Sequence, residues 1–530
     1  MNKHDALKQY FGHSGFRQGQ EEVIDALLGG RDALSIMPTG GGKSVCYQLP
    51  ALMMAGITLV VSPLISLMQD QVAALIQAGV AAAYINSSLT AAQVRVALRR
   101  AAENRYKIIY IAPERLNTSA FLWFTMQADL SLVAVDEAHC VSQWGQDFRP
   151  EYLQIPAFVN RLPRRPVVAA FTATATSDVK SDIVSLLQLR RPLICTTGFD
   201  RPNLYFEVRK PKDREDELLR LVNARRGKSG IIYCATRKNV DKLCNLLRAD
   251  GHAVVRYHAG LDEAERRIAQ DDFQFDRAHV MVATNAFGMG IDKSNVSYVF
   301  HYNMPKNLES YYQEAGRAGR DGEKAECILL YARQDVMLGR WMIEHSDVNP
   351  KLTLAERSQL LEKQQDRLKA MTFYATGRSC LRRYILSYFG EAADKRCGNC
   401  SVCNGLSDAP ARQRVAAQLA EAVPDQEADR MFAALRALRN YLAKQMRIPA
   451  YIVFTDAMLR DMAAKQPDTE EQFLTVSGVG STKNRHYGAT FIYFIRKFKK
   501  TLANGQPYDQ AMVNLLAKEA AEQGRPDNNR

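Results

Sequence analysis

A chain of 530 residues, 47% hydrophobic and 24% charged, has ordinary globular proportions and room for three or four domains with full cores, which excludes a small single-core protein. Its 70 Lys and Arg against 57 Asp and Glu leave a formal net charge of +13, which favours a polyanionic partner such as nucleic acid, although a merely basic protein has the same balance. Ser44 to Gln69 carries no charge, but Gln48, Pro50, Gly56, Ser62 and Pro63 divide it into helix, turn, strand and turn, so it reads as an α/β core and not as a membrane span.

In chain order, residues 1–30 read as helical, with Phe16, Arg17 and Gln20 ahead of the first strand. The amide of Gln20 offers a donor and an acceptor suited to an adenine edge, or is a surface glutamine. Strands are predicted at Ala33–Met37, Thr58–Ser62, Lys107–Ile111, Leu132–Val135 and Val167–Thr172, alternating with helices as in a doubly wound parallel sheet. After the first strand comes Met37-Pro38-Thr39-Gly40-Gly41-Gly42-Lys43-Ser44. Its glycines turn backbone N–H groups inward ahead of a helix N-terminus, a cradle for a phosphate chain. Lys43 would reach the terminal phosphates and Ser44 would hold Mg²⁺. The usual G-x-x-x-x-G-K-[ST] pattern needs glycine where Met37 stands, so a glycine-rich strand-to-helix turn is the alternative.

Leu132 to Val135 deliver Asp136, Glu137 and His139 to the sheet edge. Asp136 is predicted to hold Mg²⁺ through water, and Glu137 to orient and deprotonate an attacking water. The loop Ser142 to Tyr152 combines Trp144, Phe148 and Arg149 with glycine and proline; it reads either as a base-stacking surface or as a small satellite core. Phe171 to Thr176 ends a strand in hydroxyls. A second α/β block, from about 201 to 340, has strands at Ser229–Cys234, before Tyr257 and at Val280–Thr284, then the loop Asn285 to Asp292. Gln313 to Gly322 places Arg317 and Arg320 on one helical face, where an arginine can neutralise charge on a transferred phosphate.

The order Phe16-Arg17…Gln20, MPTGGGKS, DEAH at 136–139, SQWGQDFRPEY, TATAT, ATNAFGMGID and QEAGRAGRDG resembles the RecQ family of superfamily 2 helicases over residues 1–405. The family's phosphate loop lacks the first glycine, which accounts for Met37. The resemblance implies two RecA-like doubly wound parallel-sheet domains, 1–200 and 201–340, with ATP between them and 3′→5′ translocation on single-stranded DNA. It implies that Arg17 and Gln20 read adenine, that Thr39, Gly40, Gly41, Gly42, Lys43 and Ser44 hold phosphate and Mg²⁺, and that Trp144, Phe148 and Arg149 couple DNA to ATP. Arg320 is the arginine-finger candidate, with Arg317 second. His13 stands where the family often has an aromatic residue.

Residues 341–405 are helical and basic and contain Cys380, Cys397, Cys400 and Cys403. Four thiolates at such spacing suit closed, structural tetrahedral Zn²⁺, against the alternative of reduced or disulfide-paired cysteines; the arrangement matches the RecQ zinc-binding domain. The other six cysteines lie in apolar segments, and Met1 to Gln20 is polar and reads as no signal peptide, so a reducing, cytoplasmic compartment is predicted. Residues 406–428 read as a linker. Residues 429–503 resemble a small all-α HRDC bundle, with an apolar stripe from Met431 to Leu442, Arg430, Arg436 and Arg439 outside it, and a glycine turn at 477–483. Lys483 and Lys497 are its candidate DNA contacts, against a purely packing or protein-contact role. Residues 504–530 read as a polar tail, disordered at its end. The 25 residues of 404–428 leave no room for the winged helix of ~100 residues that many RecQ proteins carry there.

The resemblance thus implies an ATP-dependent DNA helicase of recombination, repair, replication and the SOS response, located in the cytoplasm at the nucleoid. Its partners would be single-stranded and tailed or forked duplex DNA, single-stranded-DNA-binding protein and other repair proteins, with no membrane. The missing winged helix motivates an alternative: an ATP-regulated nucleic-acid binding, annealing or remodelling protein with weak unwinding. An RNA helicase would share the core motifs.

Overall fold

The computed structural model describes residues 2–144, 147–287, 293–345, 353–405, 426–446, 448–503 and 510–523. The glycine-bearing loop at 288–292, Gly145 and Gln146 of the aromatic loop, and 406–425 of the linker lie outside the described residues.

Seven short strands build the first sheet: β1 (Ala33–Ile36), β2 (Ile57–Val61), β3 (Ala82–Ile85), β4 (Ile108–Ile111), β5 (Leu130–Val135), β6 (Val167–Thr172) and β7 (Leu193–Thr196). Their order is β3-β4-β2-β5-β6-β1-β7, and every pair is parallel. The central strands β1, β2 and β4 are buried along their whole length, as uncharged apolar runs in a sheet covered on both faces must be. Order decides chemistry here. Strand β6 lies between β5 and β1, so the loops leaving β5, β6 and β1 open side by side at one edge.

The second sheet comprises β8 (Leu204–Arg209), β9 (Gly230–Tyr233), β10 (Val254–Tyr257), β11 (Val280–Ala283), β12 (Tyr298–His301) and β13 (Ala325–Leu330), in the order β10-β11-β9-β12-β13-β8, again all parallel. The uncharged stretch after Ser44 resolves into the helix Lys43–Met53, β2 and the helix Ile65–Gln77; no described helix is long and apolar enough to cross a membrane. The six scattered cysteines are buried.

A helical region follows, with Arg333–Glu344, the long helix Leu354–Thr376 and Leu381–Tyr388. The last bundle is built from Gln426–Met446, Ala450–Val453, Asp456–Lys465, Ala489–Ala503 and Gln510–Gln523 around its own core. Three expectations change here. The start of the chain is two helical segments parted by a turn, because Gly12 and Gly19 take left-handed backbone that stops a continuous helix. The supposed polar tail holds the helix Gln510–Gln523, whose Val513, Leu516, Ala517 and Ala520 fall at helical spacing and are buried in the bundle core. Arg439, expected outside the apolar stripe, is fully buried. Its guanidinium donates to the Phe454 carbonyl and pairs with Asp456, which offsets the cost of burying the charge.

Candidate functional site

The phosphate-loop motif begins with a residue that belongs to the core. The Met37 side chain is buried, and its N–H donates to the Thr172 carbonyl, extending the β1–β6 ladder by one bond. The turn proper is Pro38 to Gly42. Gly40 and Gly42 sit at φ 81° and 85°, where a side chain is strained. A Cβ on Gly41 would stand 2.9 Å from the Pro38 carbonyl, and one on Gly42 would stand 2.4 Å from Gln20 Nε2. The helix Lys43–Met53 starts directly behind, so its N-terminal N–H groups face the turn.

Two predicted adenine readers brace this loop. Gln20 Nε2 donates to the Gly42 carbonyl at 3.1 Å, while Gln20 Oε1 accepts the Arg17 N–H; Arg17 NH1 donates to the Gly40 carbonyl at 2.6 Å. Lys43 Nζ donates to the Met37 carbonyl at 3.2 Å, and burial pulls its pKa below the usual lysine range, against the opposing pull of Glu137 and Asp136.

At the end of β5, Asp136 is buried and Glu137 adopts φ 46°, a left-handed conformation that a non-glycine residue occupies only under constraint. His139 Nδ1 lies 3.3 Å from Glu137 Oε2 and 2.9 Å from Thr172 Oγ1, and burial holds its pKa below the ordinary value. Thr172 Oγ1 donates to the Thr174 carbonyl, and Gln313 of the second sheet domain donates to Thr174 Oγ1 at 3.3 Å. Glu137, His139, Thr172, Thr174 and Gln313 thus form a polar chain from the acidic pair to the other domain.

These elements open on one cavity of about 330 Å³. Thr39, Gly40, Gly42, Lys43, Ser44, Asp136 and Glu137 line it from the first domain, and Gln313, Arg317 and Arg320 from the second. Both arginines lie in the turn after the helix Leu308–Ala315, not on a shared helical face as expected, and line the cavity opposite the phosphate loop. Ser44 and Asp136 supply a hydroxyl and a carboxylate to the same cavity, an oxygen donor set suited to Mg²⁺.

Sequence reasoning missed Arg201. Its guanidinium donates to the carbonyls of Thr39 (2.7 Å), Gly316 (3.1 Å), Ala318 (3.0 Å) and Gly319 (2.7 Å), pinning the phosphate loop to the arginine-bearing segment. Backbone carbonyls leave no mark in sequence, so only its place at the domain junction could have flagged it. Tyr451 and Thr455 of the last bundle also line the cavity, and no motif announced them.

The aromatic loop lies beyond His139. Trp144 is half-buried; Lys363 Nζ lies 4.0 Å from its ring centroid and the Arg367 guanidinium donates to its carbonyl. Arg149 pairs with Asp147 at 3.1 Å and donates to the Pro63 carbonyl, so it shapes the loop instead of reaching outward. Phe148 is half-buried. Two bundle lysines are also engaged. Lys483 sits over the Phe454 ring at 5.2 Å, and burial lowers its pKa to about 8. Its glycine turn is docked, with the Gly478 N–H donating to the Gly12 carbonyl at 2.9 Å. Lys483 Nζ also lies 3.8 Å from the Met458 sulfur, so its contacts are with its own bundle. Lys497 pairs with Glu519 at 2.6 Å, on the helix Gln510–Gln523 of the expected polar tail.

The sulfur atoms of Cys380, Cys397, Cys400 and Cys403 lie within 4.8 Å of one another. Cys397–Cys403 and Cys380–Cys400 are separated by 4.0 and 3.9 Å. Thiolates held at ~2.3 Å from one tetrahedral Zn²⁺ are ~3.8 Å apart, so the donor set fits that ion. Backbone N–H groups of Asn399 and Cys403 donate to the Cys397 and Cys400 sulfurs and orient them toward the centre of the cluster. The knuckle also joins the second sheet: Ser401 N–H donates to the Phe206 carbonyl, and Asn399 Nδ2 to those of Pro202 and Leu204.

Four family models match: DEAD/DEAH box helicase over residues 17–182, helicase conserved C-terminal domain over 213–322, RecQ zinc-binding over 333–404 and HRDC domain over 428–495. The ATP-dependent DNA helicase RecQ of Bacillus subtilis (strain 168) is 37% identical, covering 93% of this chain and 98% of that protein. The alignment runs over 589 positions, more than the 530 residues present here, so the relative carries positions without a counterpart in this chain. A putative ATP-dependent RNA helicase, R290, of Acanthamoeba polyphaga mimivirus is 39% identical, covering 76% of this chain and 71% of that protein. Among solved structures, Mss116p bound to single-stranded RNA and AMP-PNP matches with TM-score 0.53 at 17% identity, over 72% of this chain and 85% of that one, a likeness of fold.

Proposed function

Since the chain belongs to the RecQ family of ATP-dependent DNA helicases, we propose that it hydrolyses ATP between its two sheet domains to move 3′→5′ along single-stranded DNA and separate duplex ahead. The observation that carries this reading is the shared cavity, in which Lys43 and Glu137 face Arg317 and Arg320 across the cleft.

The chemistry follows from placement. Lys43 and the glycine-turn N–H groups hold the phosphate chain. Ser44 and Asp136 would hold Mg²⁺, which when bound supplies charge neutralisation at the phosphates. Glu137, kept in a strained backbone and touching His139, orients and deprotonates the attacking water. Arg320, with Arg317 beside it, neutralises charge that develops on the transferred phosphoryl group; this contribution exists only while the domains are closed. Arg17 and Gln20 stand on the adenine side of the loop. The polar chain through His139, Thr174 and Gln313 links the hydrolytic carboxylate to the second domain, and the aromatic loop links it to DNA through Trp144 and Phe148.

We further infer a cytoplasmic, nucleoid-associated protein of repair and recombination that works beside single-stranded-DNA-binding protein; the net charge of +13 and the family support this reading. A second reading, ATP-gated binding or annealing with weak unwinding, is favoured by the positions of the relative that lack a counterpart here.

One experiment separates the readings: ATP turnover with and without single-stranded DNA, and unwinding of a 3′-tailed duplex, in wild type and Lys43→Ala. Stimulation with unwinding, both lost in Lys43→Ala, is the expected result. Stimulation without unwinding supports the remodelling reading. RNA stimulating turnover as well as DNA would point to the substrate class in the printed name of the mimivirus relative.

A further inference from the structure

The nucleotide cavity lies between two domains, yet a third reaches into it. Tyr451, on the short helix Ala450–Val453, and Thr455, which caps the helix Asp456–Lys465, share its walls with Lys43, Glu137 and Arg320. Tyr451 is held there by partners from both sheet domains. Its hydroxyl accepts from Gln274 Nε2 at 2.7 Å and donates to Asp70 Oδ2 at 3.3 Å, while Gln274 Nε2 also donates to Asp70 Oδ1 at 2.6 Å. Asp70 lies on the helix Ile65–Gln77 of the first domain, and Gln274 ends the helix Glu263–Gln274 of the second. Three domains therefore meet at one hydrogen-bonded node whose Tyr451 lines the cavity.

The bundle also reaches the opposite end of the site. Gly478 and Gly480 lie against the segment that precedes His13: a Cβ on Gly12 would stand 2.3 Å from the Gly478 carbonyl carbon, and one on Gly480 would stand 2.6 Å from the Gln9 carbonyl oxygen. Thr482 and Tyr487 hydrogen-bond Ala78 and Gln77 at 3.2 and 2.9 Å. On the second domain, Arg460 pairs with Glu323 at 3.1 Å, three residues beyond Arg320. Contact thus runs from the adenine side to the arginine side of the cleft.

We propose that the C-terminal bundle is a third wall of the ATP site, with Tyr451 as a positioning residue that controls nucleotide exchange. While the Asp70–Tyr451–Gln274 node is made, the wall covers the phosphate side and ties the two sheet domains together, so nucleotide leaves slowly. When the node breaks, the cleft opens on that side and product escapes. The proposal rests on the assignment of this cavity to ATP.

The test is stopped-flow release of a fluorescent ADP from the full chain, chased with ATP, in wild type, Tyr451→Phe, Asp70→Ala, Gln274→Ala and the double Asp70→Ala/Gln274→Ala. Loss of one charge-assisted node should speed release roughly tenfold, and KM for ATP should rise while kcat holds or increases. Since all three residues serve one node, the double variant should release no faster than the faster single. Asp70 and Gln274 lie outside the bundle, so they test the wall even if the Tyr451 variant folds poorly. Unchanged release in Asp70→Ala and Gln274→Ala, or additive effects in the double, would overturn the proposal. Lys43→Ala run alongside marks the other failure: if it binds ADP like wild type, the ATP-site assignment itself is wrong.

Discussion

His139 carries two loads. Its Nδ1 meets the Thr172 hydroxyl at 2.9 Å and lies 3.3 Å from Glu137 Oε2, so from a buried position it packs against the carboxylate and ties it to the end of β6. Burial lowers its folded pKa below the unfolded value near 6.5. The unfolded chain therefore takes up the proton first as pH falls, and stability is lost below about pH 6.5. His13 and His279 are shifted the same way, so the whole protein trends together and the His139 share must be isolated by difference. Thermal melts at pH 7.5 and 5.5 should show wild type losing more Tm than His139→Asn over that interval. Equal losses would mean that His139 tolerates charge where it sits. Around it, side chains that engage backbone carbonyls set the geometry. Arg201, Arg17, Gln20 and Lys43 all donate to carbonyls of the phosphate loop or its neighbours, which keeps the loop shaped as a cradle.

At the scale of elements, the zinc knuckle is a staple between the helical region and strand β8. Cys380 begins the helix Leu381–Tyr388, whose Arg382 pairs with Asp200 and donates to the Arg201 and Leu204 carbonyls. The same short stretch, 200–204, carries Arg201 to the phosphate loop. Loss of the ion should therefore loosen the stretch and unfold the helical region before it touches chemistry. We expect one zinc per chain by atomic absorption, and a Cys400→Ser chain with Tm lower by at least about 4 °C, the equivalent of ~2 kcal/mol. A Cys400→Ser chain that keeps the wild-type Tm would make the cluster dispensable. The elements legible in sequence were those whose cause is local. β1, β2 and β4 are buried on both faces and read as uninterrupted apolar runs. Strands β3 and β7 lie at the sheet margins and are only four residues long, too short for an apolar run to announce a strand. Strand β8 hid because it contains Glu207, a charge that becomes tolerable only beside Arg209. The helix Gln510–Gln523 hid because alanines supply part of its apolar stripe. The phosphate loop and acidic pair were legible since their chemistry fixes residue type within a few positions. Arg201, Gln313 and Tyr451 were not, because each acts across a domain boundary that only the folded chain creates.

Across the whole molecule, the ATP cleft and the aromatic loop are tied by one helix. Leu354–Thr376 packs Lys363 over Trp144 of the first domain. One turn on, Arg367 donates to the Trp144 carbonyl and lies 3.3 Å from Glu309 of the second domain. Glu309 also accepts from Tyr388 at 2.9 Å, and it sits on Leu308–Ala315, the helix that sends Gln313 to Thr174. Arg367 is therefore the point where the aromatic loop, the helical region and the second domain share one cation. A domain movement that shifts Leu308–Ala315 must move Arg367 or break its pair, and either event is felt at Trp144. Such a contiguous path predicts coupling of one to two powers of ten in affinity or rate. Arg367 lines no part of the ATP cavity, so its loss should leave DNA-independent turnover within about twofold while cutting DNA stimulation roughly tenfold. The measurement is ATP turnover in wild type and Arg367→Ala across a titration of single-stranded DNA, with Arg367→Lys as the charge-preserving control. Lysine keeps the charge but cannot fork between a carbonyl and a carboxylate, so it should recover only part of the stimulation. Equal stimulation in all three proteins would mean that DNA reaches the acidic pair without this helix, through His139 and the first domain alone.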